Sequence, residues 1–284
     1  MEPVRRQSGI GVAICLLTWC LSGCSLYTSS ANRPCRGKCL ELDHIYIFVS
    51  RDAPERERLI ELGLRAPNHV ARHTAQGTAS VGFIFENVYL ELIWVADDDE
   101  FRATCAAHGE DFCDQANWRE TGASPFGLGL RNRCGRPHPP SLPHHEHHAE
   151  WMEPGTFIYD IDNSSPAREP QYFVVPPYMA LPAWVTKVDT TNALGARRLT
   201  GAEVKVRASG GRSHAVSDFG VGSGFNFVSA TPAKRLSRAA RLLKRTSVVE
   251  IDPGPSPLLI LTFDHGNQRR SADLRPELPL VIAY

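Results

Sequence analysis

Two apolar, strand-like runs each carry one ionisable residue, and this pairing constrains the chain more than any other feature. The first reads Leu42-Asp43-His44-Ile45-Tyr46-Ile47-Phe48-Val49 and the second Tyr89-Leu90-Glu91-Leu92-Ile93-Trp94-Val95. β-Branched and aromatic residues dominate both, and neither Gly nor Pro interrupts them. Period-two alternation puts His44, Tyr46 and Phe48 on one face of the first strand, with Asp43, Ile45, Ile47 and Val49 opposite. In the second, Tyr89, Glu91, Ile93 and Val95 share a face, and Leu90, Leu92 and Trp94 share the other. An ionisable side chain in such a strand has to be solvated, paired or bound. If the Ile45/Ile47/Val49 and Leu90/Leu92/Trp94 faces cover a helix, His44 and Glu91 come together on the concave face of one sheet.

The segment between them supplies that helix. Asp52 reads as its N-cap, Pro54 and Glu55 as its first turn, and Leu59, Ile60 and Leu62 as its apolar stripe, with Gly63 as the stop. Residues 67–72 and 79–85 read as strands, separated by a turn at Gly77-Thr78. The order is therefore strand, helix, strand, strand, strand. Residues 96–120 are acidic and polar and read as a helical or irregular crossover. Strands follow at 126–131, 157–161 and 171–175, and the Pro/His-rich residues 137–150 between them read as a loop. From Leu199 the strand–helix–three-strand order returns. A strand at 204–206 precedes a Gly/Ser-rich loop at 209–224. A helix then carries Leu236, Ala239, Ala240 and Leu243 at i, i+3, i+4 and i+7. Strands at 248–251, 258–263 and 278–283 complete the unit.

The runs around His44 and Glu91, with His73-Thr74-Ala75-Gln76-Gly77-Thr78 between them, resemble the first βαβββ module of the vicinal oxygen chelate superfamily, and within it the glyoxalase-like domain proteins. The resemblance implies an α+β fold in which tandem βαβββ modules form a U-shaped, cup-like sheet, as in glyoxalase, bleomycin-resistance and dioxygenase proteins. It implies a glyoxalase-like domain over residues 40–176, made of two modules with the insert 137–150. Residues 177–284 would form a third βαβββ-like unit packed on that domain. Enzymes of this family hold one divalent metal, here Zn, Mn, Ni or Fe, which acts as a Lewis acid on adjacent substrate oxygens. Carried over residue by residue, His44 matches the first-strand ligand and Glu91 the fourth-strand ligand.

The second module departs from that pattern. Gly127 stands at the position matching His44, and Gln171-Tyr172-Phe173-Val174-Val175 has no carboxylate. His73 is either a third metal ligand, completing a two-His-one-carboxylate set, an acid/base group, or a turn histidine at the rim. Arg131, in phase with Gly127 and Gly129, either faces the cup as an anchor for an anionic substrate or reaches solvent from the strand end. Two functions fit these residues. One is a metal-dependent lyase, isomerase or dioxygenase using His44, Glu91, His73 and Arg131. The other is a metal-free cup that holds a small molecule against Tyr46, Phe48, Tyr89 and Ile93.

The N-terminus reads as a targeting segment. Arg5 and Arg6 precede the apolar run Ile10–Leu21, which ends in Leu21-Ser22-Gly23-Cys24. This resembles the lipobox of bacterial lipoproteins, with residues 1–23 as signal peptide, acylated Cys24 as the new N-terminus, and 24–39 as a tether. By the same resemblance, Ser25 after the Cys implies the outer membrane, with the domain facing the periplasm; an ordinary signal peptide cut nearby or an uncleaved anchor is the other reading. Each buried acyl methylene contributes about 0.8 kcal/mol to such an anchor. In an oxidising compartment Cys35–Cys39 and Cys105–Cys113 are the natural local pairs, leaving Cys134, though sequence does not settle the connectivity. His138, His144, His145, His147 and His148 form a cluster that binds metal either by design or adventitiously. The chain has 31 Lys and Arg against 31 Asp and Glu, so it lacks the global basic field of nucleic-acid-binding proteins.

Overall fold

The computed structural model describes residues 40–108, 110–133, 140–149, 151–163, 169–207, 240, 241, 243 and 248–284. Cys24, Cys35, Cys39, Cys134, His138, the loop at 209–224 and most of the helix after Thr231 lie outside the described residues.

The first module is β1 (Leu40–Phe48), α1 (Arg56–Glu61), β2 (Ala71–His73), β3 (Thr78–Ile84) and β4 (Tyr89–Val95). β1 and β4 pair in parallel, and β2, β3 and β4 form an antiparallel meander. The second half repeats this plan with β5 (Phe126–Asn132), β6 (His144–His147), β7 (Ile158–Ile161) and β8 (Gln171–Val174). β5 and β8 are parallel, and β6, β7 and β8 are antiparallel. The halves join through the antiparallel β1/β5 seam, giving one eight-stranded sheet in the order β2-β3-β4-β1-β5-β8-β7-β6. This is the paired-module, curled sheet of the vicinal oxygen chelate fold.

The convex face of the sheet is apolar because alternate residues of every central strand point to it. Ile45, Ile47, Leu90, Leu92, Leu128 and Tyr172 are all 1% exposed or less, and Leu59 of α1 packs into the same core. Each such side chain contributes about 1.5–3 kcal/mol by leaving water. A second sheet shares this core. It comprises β9 (Leu199–Arg207), β10 (Val249–Gly254), β11 (Leu258–Phe263), β12 (Ser271–Asp273) and β13 (Leu280–Ala283), in the order β10-β9-β11-β13-β12. Phe263 of β11 meets Phe85 with ring centroids 4.3 Å apart. The described strands from Leu199 onward form two parallel pairs, β9/β10 and β11/β13, joined antiparallel at β9/β11.

Two local expectations change, and the crossover takes the helical one of its two readings. Asp52 does not cap α1: Asp52 and Ala53 adopt φ of 65° and 48° in a tight turn, and Glu55 is the cap residue. The Glu55 carboxylate bonds the Ser50 amide (3.0 Å) and hydroxyl (2.6 Å), tying the helix entry back to the end of β1. The crossover at 96–120 is three short helices, α2 (Asp98–His108), α3 (Glu110–Ala116) and α4 (Trp118–Thr121), and a Cys105–Cys113 disulfide links α2 to α3. The Pro/His-rich loop contains an edge strand, β6, where polar residues are tolerated because one strand edge stays free.

Candidate functional site

The site is built around a β-bulge. β1 pairs Leu42 with Leu130 and His44 with Gly129, so Asp43 is an extra residue without a partner across the seam. The bulge lets Leu42 and Ile45 both enter the apolar core and leaves Asp43 wholly buried. Three donors surround its carboxylate. Oδ2 lies 3.0 Å from His44 Nδ1, and Oδ1 accepts from Arg131 Nη1 (3.0 Å) and the Leu181 amide (2.9 Å). Burial alone would raise the Asp43 pKa. The His44 hydrogen bond and charge, the Leu181 amide and Arg131 outweigh it, and the carboxyl titrates below the ordinary value. An anion at Nδ1 makes that nitrogen the donor and turns Nε2 toward the cavity.

Nε2 of His44 faces Glu91. Glu91 Oε2 is 3.9 Å from His44 Nε2, and Oε1 is 3.8 Å from His73 Nε2. His73 is held through Nδ1 by Thr78 Oγ1 (2.8 Å), with Ser80 Oγ 3.4 Å from Nε2. Three strands, β1, β2 and β4, thus bring two imidazoles and one carboxylate to the same wall of the cup.

The cup encloses about 1430 Å³. The His44 ring stacks on Tyr89 (4.4 Å, 17°) and meets the edge of Phe173 (5.2 Å, 62°), while Trp184 lies 5.6 Å from Tyr89. The Tyr46 hydroxyl lies between the side-chain oxygens of Gln115 (2.9 Å) and Gln171, and Gln171 Nε2 donates to Asp160 (2.9 Å). Both phenols are pushed well above their ordinary pKa, chiefly by burial. The negative charges of Asp160 and Glu91 add to this at Tyr46, and those of Glu91 and Asp43 at Tyr89. Both are therefore neutral hydroxyls at pH 7.

The second half supplies surfaces where the first supplies ligands. A Cβ on Gly127 would lie 2.0 Å from Tyr46 Cε1, and one on Gly129 would lie 2.2 Å from His44 Cε1. Both glycines are needed because the two rings lie directly over β5. Phe173 pairs with Gly129 as Glu91 pairs with Tyr46, so a phenyl ring occupies the place that mirrors the carboxylate.

Among the residues singled out in the sequence, His44, His73, Glu91, Tyr46, Tyr89 and Ile93 all line the cavity. Phe48 does not. It is 1% exposed and packs against Phe101 and Phe112, because the crossover helices close that end of the concave face. Nor does Arg131 face the open cup. Its guanidinium bonds Glu41 Oε1 (2.8 Å), Asp43 Oδ1 (3.0 Å) and the Asn87 carbonyl, so two carboxylates match its charge. It positions Asp43 instead of anchoring an anion. Sequence reasoning missed Asp43, Gln115, Gln171 and Trp184. An acid inside an apolar strand was a visible signal for Asp43, but period-two geometry put it on the wrong face.

A zinc-class ion needs its nitrogen and oxygen donors about 2.0–2.2 Å from one centre. His44, His73 and Glu91 are suitable donor types. As placed, however, the carboxylate stands between the imidazoles with one oxygen toward each. Among the described residues no three His, Cys, Asp or Glu side chains converge on one point. In the His-rich segment, His144 Nδ1 bonds the Leu142 carbonyl, His148 Nδ1 the Thr156 carbonyl, and His145 pairs with Asp162 at 3.1 Å.

No family model matches the chain, and no curated protein matches it. Solved structures do. A hypothetical protein from Staphylococcus aureus overlaps with a TM-score of 0.48 at 12% identity, covering 86% of this chain and 98% of that one. A mutant of 4-hydroxymandelate synthase from Streptomyces coelicolor overlaps with a TM-score of 0.32 at 13% identity, covering 59% of this chain and 48% of that one. The strand order and register define the fold, and these overlaps add no function to it.

Proposed function

We propose that this chain is a glyoxalase-like protein that binds a small organic molecule in the cup and moves a proton on it, as a lyase or isomerase does. The observation that carries this reading is the line Asp43–His44–Glu91. A buried carboxylate fixes the imidazole through Nδ1, and Nε2 opens onto the cavity. A C–H or O–H acid placed against Nε2 gives its proton to His44, and Asp43 stabilises the imidazolium that forms. The Tyr89 ring, stacked on the imidazole, keeps it from rotating away.

The test is deuterium incorporation from heavy water into a panel of α-hydroxy ketones and 2-oxo acids, read by mass spectrometry. Exchange lost in His44→Ala supports the reading. Binding of panel members without exchange would favour a second reading, a sequestering cup without chemistry. The replacement of the second half's ligands by Gly127, Gly129 and Phe173 speaks for that alternative.

Metal dependence is tested separately. The placement of His44, His73 and Glu91 leads us to expect weak, exchangeable binding of Zn, Mn, Ni or Fe. One equivalent retained through dialysis and lost in His44→Ala would replace proton transfer by the metal-dependent reading. We also propose that Cys24 is acylated and holds the domain at the outer membrane facing the periplasm, on the strength of the Leu21-Ser22-Gly23-Cys24 junction. A fatty-acid label that persists in Cys24→Ala would refute acylation at that residue.

A further inference from the structure

Resting on the reading of the cup as a small-molecule site, we infer that Tyr46, Gln115 and Gln171 form a subsite for a neutral hydrogen-bond donor, an O–H or N–H group at one end of an apolar ligand. The three side chains come from β1, α3 and β8, and all three line the cavity. They meet beside Gly127, which pairs with Tyr46 on one side and with Gln171 on the other. The orientation of both amides is fixed from behind. Gln115 Nε2 donates to the Phe126 carbonyl (3.3 Å), and Gln171 Nε2 donates to Asp160 (2.9 Å). A carbonyl and a carboxylate oxygen are acceptors, so each has to face the NH2 end of its amide. Both amide oxygens therefore point at the Tyr46 hydroxyl.

A phenol carries one proton, and here it meets two acceptors. Whichever oxygen takes it, the other is left without a donor, since no further hydrogen bond reaches either oxygen among the described residues. Gln115 is 6% exposed, so bulk water does little to make up the difference. A donor arriving from the cavity completes the set. A ligand atom that only accepts would have to take the Tyr46 proton and leave both amide oxygens bare. The amides and the phenol are uncharged, so a neutral donor matches them without a counter-charge. The position of the subsite also sets the shape of the ligand. Tyr46 follows His44 on the same face of β1, about 7 Å along the strand. Phe173 spans that interval, its ring 5.2 Å from the His44 ring and 6.1 Å from the Tyr46 ring. An apolar body laid against Phe173 reaches from His44 at one end to the amide oxygens at the other.

The test uses three probes of one shape, 2-naphthol, 2-fluoronaphthalene and 2-methoxynaphthalene, in equilibrium dialysis against the purified full chain at pH 7. The naphthol donates a hydrogen bond, the fluoro compound has the same outline without a donor, and the methyl ether only accepts. The naphthol should bind at least about fivefold tighter than either of the others, although it is the least apolar of the three. Gln115→Leu combined with Gln171→Leu should abolish that preference, because apolar contact alone then ranks the probes. Tyr46→Phe should keep or raise it, because both amide oxygens are then open to the ligand. Equal affinities, a methyl ether that binds as tightly as the naphthol, or a preference that survives the double Gln variant or is lost in Tyr46→Phe would each overturn the inference and leave the small-molecule cup in place. If none of the three binds, the cup reading falls and the inference falls with it. Should the double Gln variant not fold, the wild-type ranking and Tyr46→Phe decide.

Discussion

Replacing Asp43 by Asn tests the centre of the site directly. Asp43 is wholly buried and bonds His44, Arg131 and the Leu181 amide at 3.0, 3.0 and 2.9 Å. Asn keeps the shape and one acceptor but removes the charge, leaving Arg131 with Glu41 alone. Removing one member of a buried ion pair costs about 3–5 kcal/mol, and the retained acceptor puts Asp43→Asn near about 3 kcal/mol. At about 2–4 °C per kcal/mol for a chain of this size, the melting temperature should fall by about 6–12 °C. The difference depends on pH in a defined direction. The folded pKa of Asp43 is depressed, so its contribution is complete above the unfolded value of about 3.9. It disappears as pH falls through the lower folded value. Thermal melts by circular dichroism should therefore show the gap at pH 7 and its narrowing below about pH 4. The Asn amide would also donate to His44 Nδ1 and drive the proton to Nε2, a change that imidazole ¹⁵N shifts report. A variant within about 1 kcal/mol of wild type at pH 7, or an unchanged His44 tautomer, would refute the reasoning.

Gly129→Ala would place a Cβ 2.2 Å from His44 Cε1. It should cost about 1–3 kcal/mol in urea unfolding and abolish His44-dependent exchange, because the ring has to leave Glu91. Tyr46→Phe leaves the Gln115 and Gln171 side chains without the hydroxyl between them. A loss of about 1–3 kcal/mol by the same measurement is expected. Cys105→Ser with Cys113→Ser opens an eight-residue loop between α2 and α3. It should lower stability by about 2–3 kcal/mol, which urea unfolding checks.

Period-two alternation was enough to place His44 beside Glu91, because one face of β1 and β4 is uniformly apolar and must be buried. The strand–helix–three-strand order of the first module was legible for the same reason, with most strand ends shifted by a residue or two and β2 beginning four residues later than expected, at Ala71. What alternation could not reach was any residue whose place depends on a break in the pattern or on a distant element. Asp43 changed role because a bulge at the β1/β5 seam, a property of two strands together, turned it from the far face toward His44 and Arg131. Phe48 left the cup because helices from residues 96–120 fold over its end of the sheet. Arg131 lost its expected role because Glu41 and Asp43, far away in sequence, sit across the seam from it. The sequence by itself determined which faces are buried, since hydrophobicity and a two-residue period are local. Only the tertiary structure decided which charges meet inside the cup, since that depends on seam register and on which loops close over the sheet.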